Sequence, residues 1–303
     1  MHKEMKGIYP IIASPFTLNG EVDYESLRNE VEFLADHGCQ GVTLFGIAGE
    51  YYKLSDEESE KMVRIVVETC KRKKIISVVS VTQHATEMAV RQAKYYQECG
   101  ADGLMLLPPF FMKPDAASIY EHMKQVCKGV KIPVVIQYAP EQTGVSIAPG
   151  ILSELRNDVE TEVYYKIECK PAGGYITSLL AETDGNAKIF IGNAGYQFVE
   201  CFDRGAIGAM PGASMFDLYL KIYDEYMAGD RDKAKKLHGE FLLPMLNHIR
   251  QNVEMIILYE KKILYKRGII ASDYCRKPTF KTDFIYDNLF EEYYETVKPF
   301  FER

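Results

Sequence analysis

The segment Val163-Tyr164-Tyr165-Lys166-Ile167-Glu168 holds the side chains best suited to chemistry. Its aromatic and β-branched residues predict a strand, in which alternate side chains share a face. Lys166 and Glu168 then stand together, and Val163, Tyr165 and Ile167 share the other side. The more apolar set suits a covering layer of helices, which directs Lys166 toward an interior mouth. A buried ammonium is costly unless it is paired or neutralised. Burial favours a lysine's neutral form, and the free amine is the nucleophile that attacks a ketone. From the residues alone two readings stand: a nucleophilic amine, or a lysine held in an ion pair. Elsewhere the six histidines show no HxH or HExxH spacing and the seven cysteines no CxxC, so no metal site is expected.

A strand carrying such a pair needs a scaffold, and the chain supplies a repeating one. Short β-branched runs recur at about thirty-residue intervals, the length of a βα unit. They are Gly7–Ser14, Gly41–Leu44, Ile75–Val79, Gly103–Leu107, Val134–Gln137, Val163–Lys166, Lys188–Ile191 and Gly208–Met210. Helical patterns lie between them, as in Tyr24–His37, Asp56–Lys71, Ala85–Cys99 and Asp115–Lys128, and Ser55 with Glu58 reads as a capping box. Eight alternations predict an α/β fold, a (β/α)8 TIM barrel. The expected barrel spans residues 1–229 and carries the active site. From Asp230 to Arg303 the pattern is helical only, a C-terminal extension packed on the barrel. Barrel enzymes place reactive groups at the C-terminal ends of strands. The search narrows to Phe16–Leu18, Phe45–Tyr52, Val81–His84, Pro108–Lys113, Gln137–Gly144, Lys166–Gly174, Gly192–Tyr196 and Pro211–Ser214.

Composition narrows the partners. With 303 residues, 47% of them hydrophobic and 26% charged, the chain can bury a large core without disulfide or metal staples. A net charge of −7 disfavours nucleic acid and anionic membranes. No apolar run has signal-peptide or membrane-spanning length. An odd set of scattered cysteines without an export signal reads as buried thiols in a reducing cytoplasm.

Between Gly7 and about Met215 the chain resembles the dihydrodipicolinate synthase / N-acetylneuraminate lyase family of class I Schiff-base aldolases. The matching pieces are Ser14-Pro15-Phe16-Thr17 with Gly20, Gly46-Ile47-Ala48-Gly49-Glu50, Gly100-Ala101-Asp102-Gly103 and Pro108-Pro109-Phe110-Phe111. Ala139-Pro140-Glu141-Gln142-Thr143-Gly144, the Lys166 strand and Gly205-Ala206-Ile207-Gly208 complete the set. The resemblance implies that Lys166 forms an imine with a 2-oxo acid such as pyruvate, that no cofactor is needed, and that the chain is a homo-oligomer, a dimer or tetramer. It also implies that Gly46, Ile47, Ala48 and Gly49 hold the substrate carboxylate. The two hydroxyl residues usual between those glycines are here Ile47 and Ala48, which leaves the backbone N–H groups to bind.

Other departures bear on the substrate. Where the synthases pass a tyrosine to a neighbouring subunit, this chain has Phe110 and Phe111. The tyrosine of the fifth strand is replaced by Gln137, with Tyr138 one residue later, and a one-residue slip changes the face a side chain occupies. The arginine that receives the second substrate falls at Gln142. The Ile-Gln-Tyr-Ala-Pro stretch and the turn Gly208–Gly212 are similar to the 2-keto-3-deoxy sugar acid dehydratase branch. Expected substrate contacts therefore include Gln137 and Asn193, and Tyr138 and Glu168 are the candidates for moving protons at C3 and C4 of the imine. His84, Thr17 and Ser214 read as satisfied loop residues, and Tyr51 and Tyr52 as packing or interface aromatics. A dehydratase is the first expectation. An aldolase of the N-acetylneuraminate lyase or keto-deoxy-gluconate type, dihydrodipicolinate synthase itself, and a non-catalytic 2-oxo acid binding protein are the alternatives.

Overall fold

The computed structural model describes residues 4–301; residues 1–3 and 302–303, the outer ends of the expected barrel and extension, lie outside the described residues. Eight strands alternate with helices: β1 (Gly7–Ile8), β2 (Gly41–Leu44), β3 (Ile76–Val81), β4 (Gly103–Leu106), β5 (Val134–Tyr138), β6 (Val163–Ile167), β7 (Lys188–Ile191) and β8 (Gly208–Ala209). They form one sheet in the order β1-β8-β7-β6-β5-β4-β3-β2. That order and alternation are those of the (β/α)8 barrel expected from the sequence.

The first strand is shorter than its run Gly7–Ser14. Pro10 has no N–H to give the ladder, so regular pairing stops before it. Beyond it, single bridges carry on: Ile11 pairs with Thr43 and with Gly212, and the Thr43 N–H donates to Pro10 O at 2.8 Å.

By contacts the chain falls into two units, Met1–Gly7 with Ile76–Met210, and Ile8–Ile75 with Pro211–Arg303. The first holds an unbroken parallel ladder from β3 to β8. Its strands are buried on both faces, as parallel strands are when helices cover them. Tyr165 points to the helix layer, where its hydroxyl donates to Leu152 O at 3.0 Å.

In the second unit the helix Asp56–Lys73 begins with the expected capping box, Ser55 and Glu58 each bonding the other's backbone N–H. Acidic residues fill its first turn and basic ones its last, matching the helix dipole. Helices follow from Phe216 onward, among them Val253–Lys266 and Phe284–Val297. Several charged side chains are buried in this unit: Glu50 pairs with Lys261 and, at 3.2 Å, with Lys53. Lys53 also reaches Glu254 at 3.0 Å and the carbonyls of Arg276 and Pro278. Among the described residues no helix is long and apolar enough to cross a membrane. Five of the seven cysteines are buried as expected, while Cys99 and Cys169 are only half-buried; all are free.

Candidate active site

Strand alternation places Lys166 and Glu168 on one face, and their tips meet: Lys166 Nζ lies 3.2 Å from Glu168 Oε1. Both are nearly sealed from solvent, at 3% and 9% exposure. A lone ion pair at that depth loses more hydration than its attraction restores unless other hydrogen bonds complete it. Here they do. The Gln137 side-chain amide donates to Glu168 Oε2 at 2.5 Å, and the Asn193 backbone N–H donates to Oε1 at 3.0 Å.

The sequence dictates each of these approaches. β5 and β6 run parallel with Gln137 opposite Lys166, so the two side chains leave the sheet on the same face. Asn193 follows β7 with a left-handed backbone, φ 50°, a conformation asparagine tolerates better than most residues. Gly192 precedes it with φ −103°, which any residue can adopt. Glycine is required there for space, because a Cβ would overlap the Cγ of Glu168.

Electrostatically, burial pushes the Glu168 carboxyl up. The Lys166 charge and the hydrogen bonds from Gln137 and Asn193 outweigh it and hold the group below the ordinary glutamate value. Glu168 is therefore ionised beside the amine, a proton acceptor in contact with the proposed nucleophile.

Tyr138 is placed differently from the other expected residues. It pairs with Ile167 rather than Lys166, so it lies on the opposite face of the sheet. There it stacks on Tyr175, ring centroids 4.4 Å apart at 23°, and the Tyr175 hydroxyl donates to Ile147 O at 2.7 Å. Asn193 contributes its backbone to the cluster. Gln137 was expected to touch substrate; its amide touches Glu168. Gly192 was missed, since its role depends on a neighbour distant in sequence.

The turn Gly46, Ile47, Ala48, Gly49 belongs to the other unit. It is a single 3-10 turn closed by the Gly49 N–H on Gly46 O at 2.8 Å. The Ser14 hydroxyl donates to Gly49 O at 2.5 Å, and a Cβ on Gly46 would collide with Ile11. Ile47 and Ala48 are half-buried. Of the residues read as satisfied loop positions, His84 Nδ1 accepts the Phe110 N–H at 3.4 Å and Thr17 Oγ1 accepts the Glu21 N–H, whereas the buried Ser214 hydroxyl has no hydrogen-bond partner among the described residues; the Tyr52 hydroxyl donates to Glu254.

Comparison with known proteins bears on the chemistry. A model of the dihydrodipicolinate synthetase family matches residues 4–292. The L-2-keto-3-deoxyarabonate dehydratase of Azospirillum brasilense is 26% identical over 278 residues, covering 90% of this chain and 88% of that enzyme. A 4-hydroxy-tetrahydrodipicolinate synthase of Methanococcus maripaludis is 28% identical over 248 residues, covering 80% and 82%. The dihydrodipicolinate synthase from Rhodopseudomonas palustris has a crystal structure similar at a TM-score of 0.89 and 26% identity, covering 96% of this chain and 97% of that one. Since the family match runs from residue 4 into the helix Phe284–Val297 and not through one motif, the chain belongs to the dihydrodipicolinate synthetase family of class I aldolases and lyases.

Proposed function

We propose that this enzyme dehydrates a 2-keto-3-deoxy sugar acid through an imine on Lys166. The observation that carries the reading is the buried Lys166–Glu168 contact of 3.2 Å, with a carboxylate held ionised by further donors. Glu168 accepts a proton from the ammonium, and the free amine attacks C2 of the 2-oxo acid. The carbinolamine hydroxyl takes the proton back from Glu168 and leaves as water, giving a protonated imine, an electron sink that makes the C3 proton removable. Glu168 takes that proton, and the electron pair moves through the enamine. The C4–O bond then breaks as the leaving oxygen receives the proton from Glu168 and departs as water. Imine hydrolysis returns Lys166. Assembly into a homo-oligomer remains part of this proposal.

The dehydratase reading is supported by likeness to the L-2-keto-3-deoxyarabonate dehydratase over most of both chains, and by Phe111, Gln137 and Gln142 at the positions of the synthases' relay and arginine. Tyr138, facing Tyr175, gives Glu168 the stronger claim to the proton-transfer role. A screen of 2-keto-3-deoxy acids with product masses tests the proposal. Loss of 18 mass units, with condensation of pyruvate and aspartate semialdehyde slower by at least about 100-fold than in a dedicated synthase, is the expected result. Efficient condensation, or cleavage to pyruvate without dehydration, contradicts it.

A further inference from the structure

Gln137 sits where the synthases carry a tyrosine, and the residue is 2% exposed. Its amide nitrogen approaches Glu168 Oε2 at 2.5 Å, while Oε1 of the same carboxylate receives the Asn193 N–H and faces Lys166 Nζ. Each carboxylate oxygen thus has its own donor, from a different strand or loop. Turning the amide over would set its oxygen against Oε2, two acceptors in contact, unless Glu168 carried a proton. Lys166 is the charged group beside Glu168; β5 and the loop after β7 add neutral donors. The position of the amide is itself fixed, because Gln137 is opposite Lys166 in the ladder and the next residue, Tyr138, anchors the strand end on Tyr175.

We propose that Gln137 is a positioning residue whose amide sets the orientation and charge of Glu168 beside Lys166, and is not a ligand to the substrate. The inference rests on the imine-lyase reading for its kinetic consequences, but not for the hydrogen bond itself. Without the amide, Oε2 loses a charge-assisted hydrogen bond in a buried setting, and the carboxylate becomes free to rotate away from the reacting carbons.

Two variants of similar size test this, Gln137→Met, which removes the donor, and Gln137→Glu, which replaces it with an acceptor. Both are expected to trap pyruvate with borohydride, with KM within about threefold of the parent and kcat lower by about 10- to 100-fold. The acid limb of kcat/KM should move to higher pH in both, and further in Gln137→Glu, where two carboxyls must share a proton. The 13C signal of the Glu168 carboxyl, assigned by its loss in Glu168→Gln, should titrate at higher pH in Gln137→Met than in the parent. A rise in KM at unchanged kcat, with the acid limb and the carboxyl titration unmoved, would make Gln137 a substrate ligand and overturn the proposal. Unchanged kinetics and titration overturn it equally. If the parent fails to trap pyruvate, the lyase reading falls alone, since the carboxyl titration still decides what Gln137 does.

Discussion

Glu30 offers a stability test that does not depend on turnover. It lies in the helix Tyr24–Asp36 with no exposed surface, and one carboxyl oxygen accepts the Ala13 N–H at 2.9 Å. The other oxygen has no hydrogen-bond partner among the described residues. Burial pushes this carboxyl from 4.5 up to about 8, with Glu260 adding to the rise and the Ala13 N–H and Lys261 opposing it. The folded protein therefore holds a proton that the unfolded chain releases near the ordinary value. The stabilisation is complete below pH 4.5 and is lost as pH rises toward about 8. Each pH unit in that window removes about 1.4 kcal/mol, so the whole window is worth about 5 kcal/mol. Glu30→Gln replaces the neutral acid by a neutral group of the same shape and abolishes the titration. Denaturant unfolding of parent and variant at pH 5, 7 and 8.5 should show the variant gaining on the parent as pH rises, by about 3–4 kcal/mol from end to end. Parallel stability curves would refute the assignment of a buried, protonated Glu30.

Two further outcomes follow from packing. Gly192→Ala drives a methyl into the Cγ of Glu168 and should lower stability by about 1–3 kcal/mol and kcat by about 100-fold; normal values of both would show that Glu168 moves aside freely. Lys261→Met leaves Glu50 buried with Lys53 as its remaining cation, for an expected loss of about 3 kcal/mol in denaturant unfolding, partly restored by adding Glu50→Gln. A loss below about 1 kcal/mol would mean that water enters and solvates Glu50.

Much of this arrangement was legible in the sequence because it depends on local periodicity. Alternation alone put Lys166 and Glu168 on one face, and the Ser55–Glu58 box fixed the start of its helix. β2 and β7 fall on the residues expected of them, whereas β1 was overestimated because the ladder ends where Pro10 lacks a donor. What escaped depended on register between strands. Gln137 was seen as a mouth residue, but that its amide would meet Glu168 follows from the pairing of β5 with β6. The same pairing turns Tyr138 away, the consequence of its one-residue offset from Gln137. The space demanded at Gly192 and the buried acids around Lys261 are contacts between distant segments, with no periodic signature.

The central claim is the imine on Lys166, and borohydride reduction in the presence of pyruvate tests it most directly. Intact mass should rise by one reduced pyruvyl group per chain, and peptide mapping should place it on Lys166. Lys166→Ala should take up none and lose activity by several orders of magnitude. Label on another lysine, or no label under conditions that trap a control aldolase, would contradict the account.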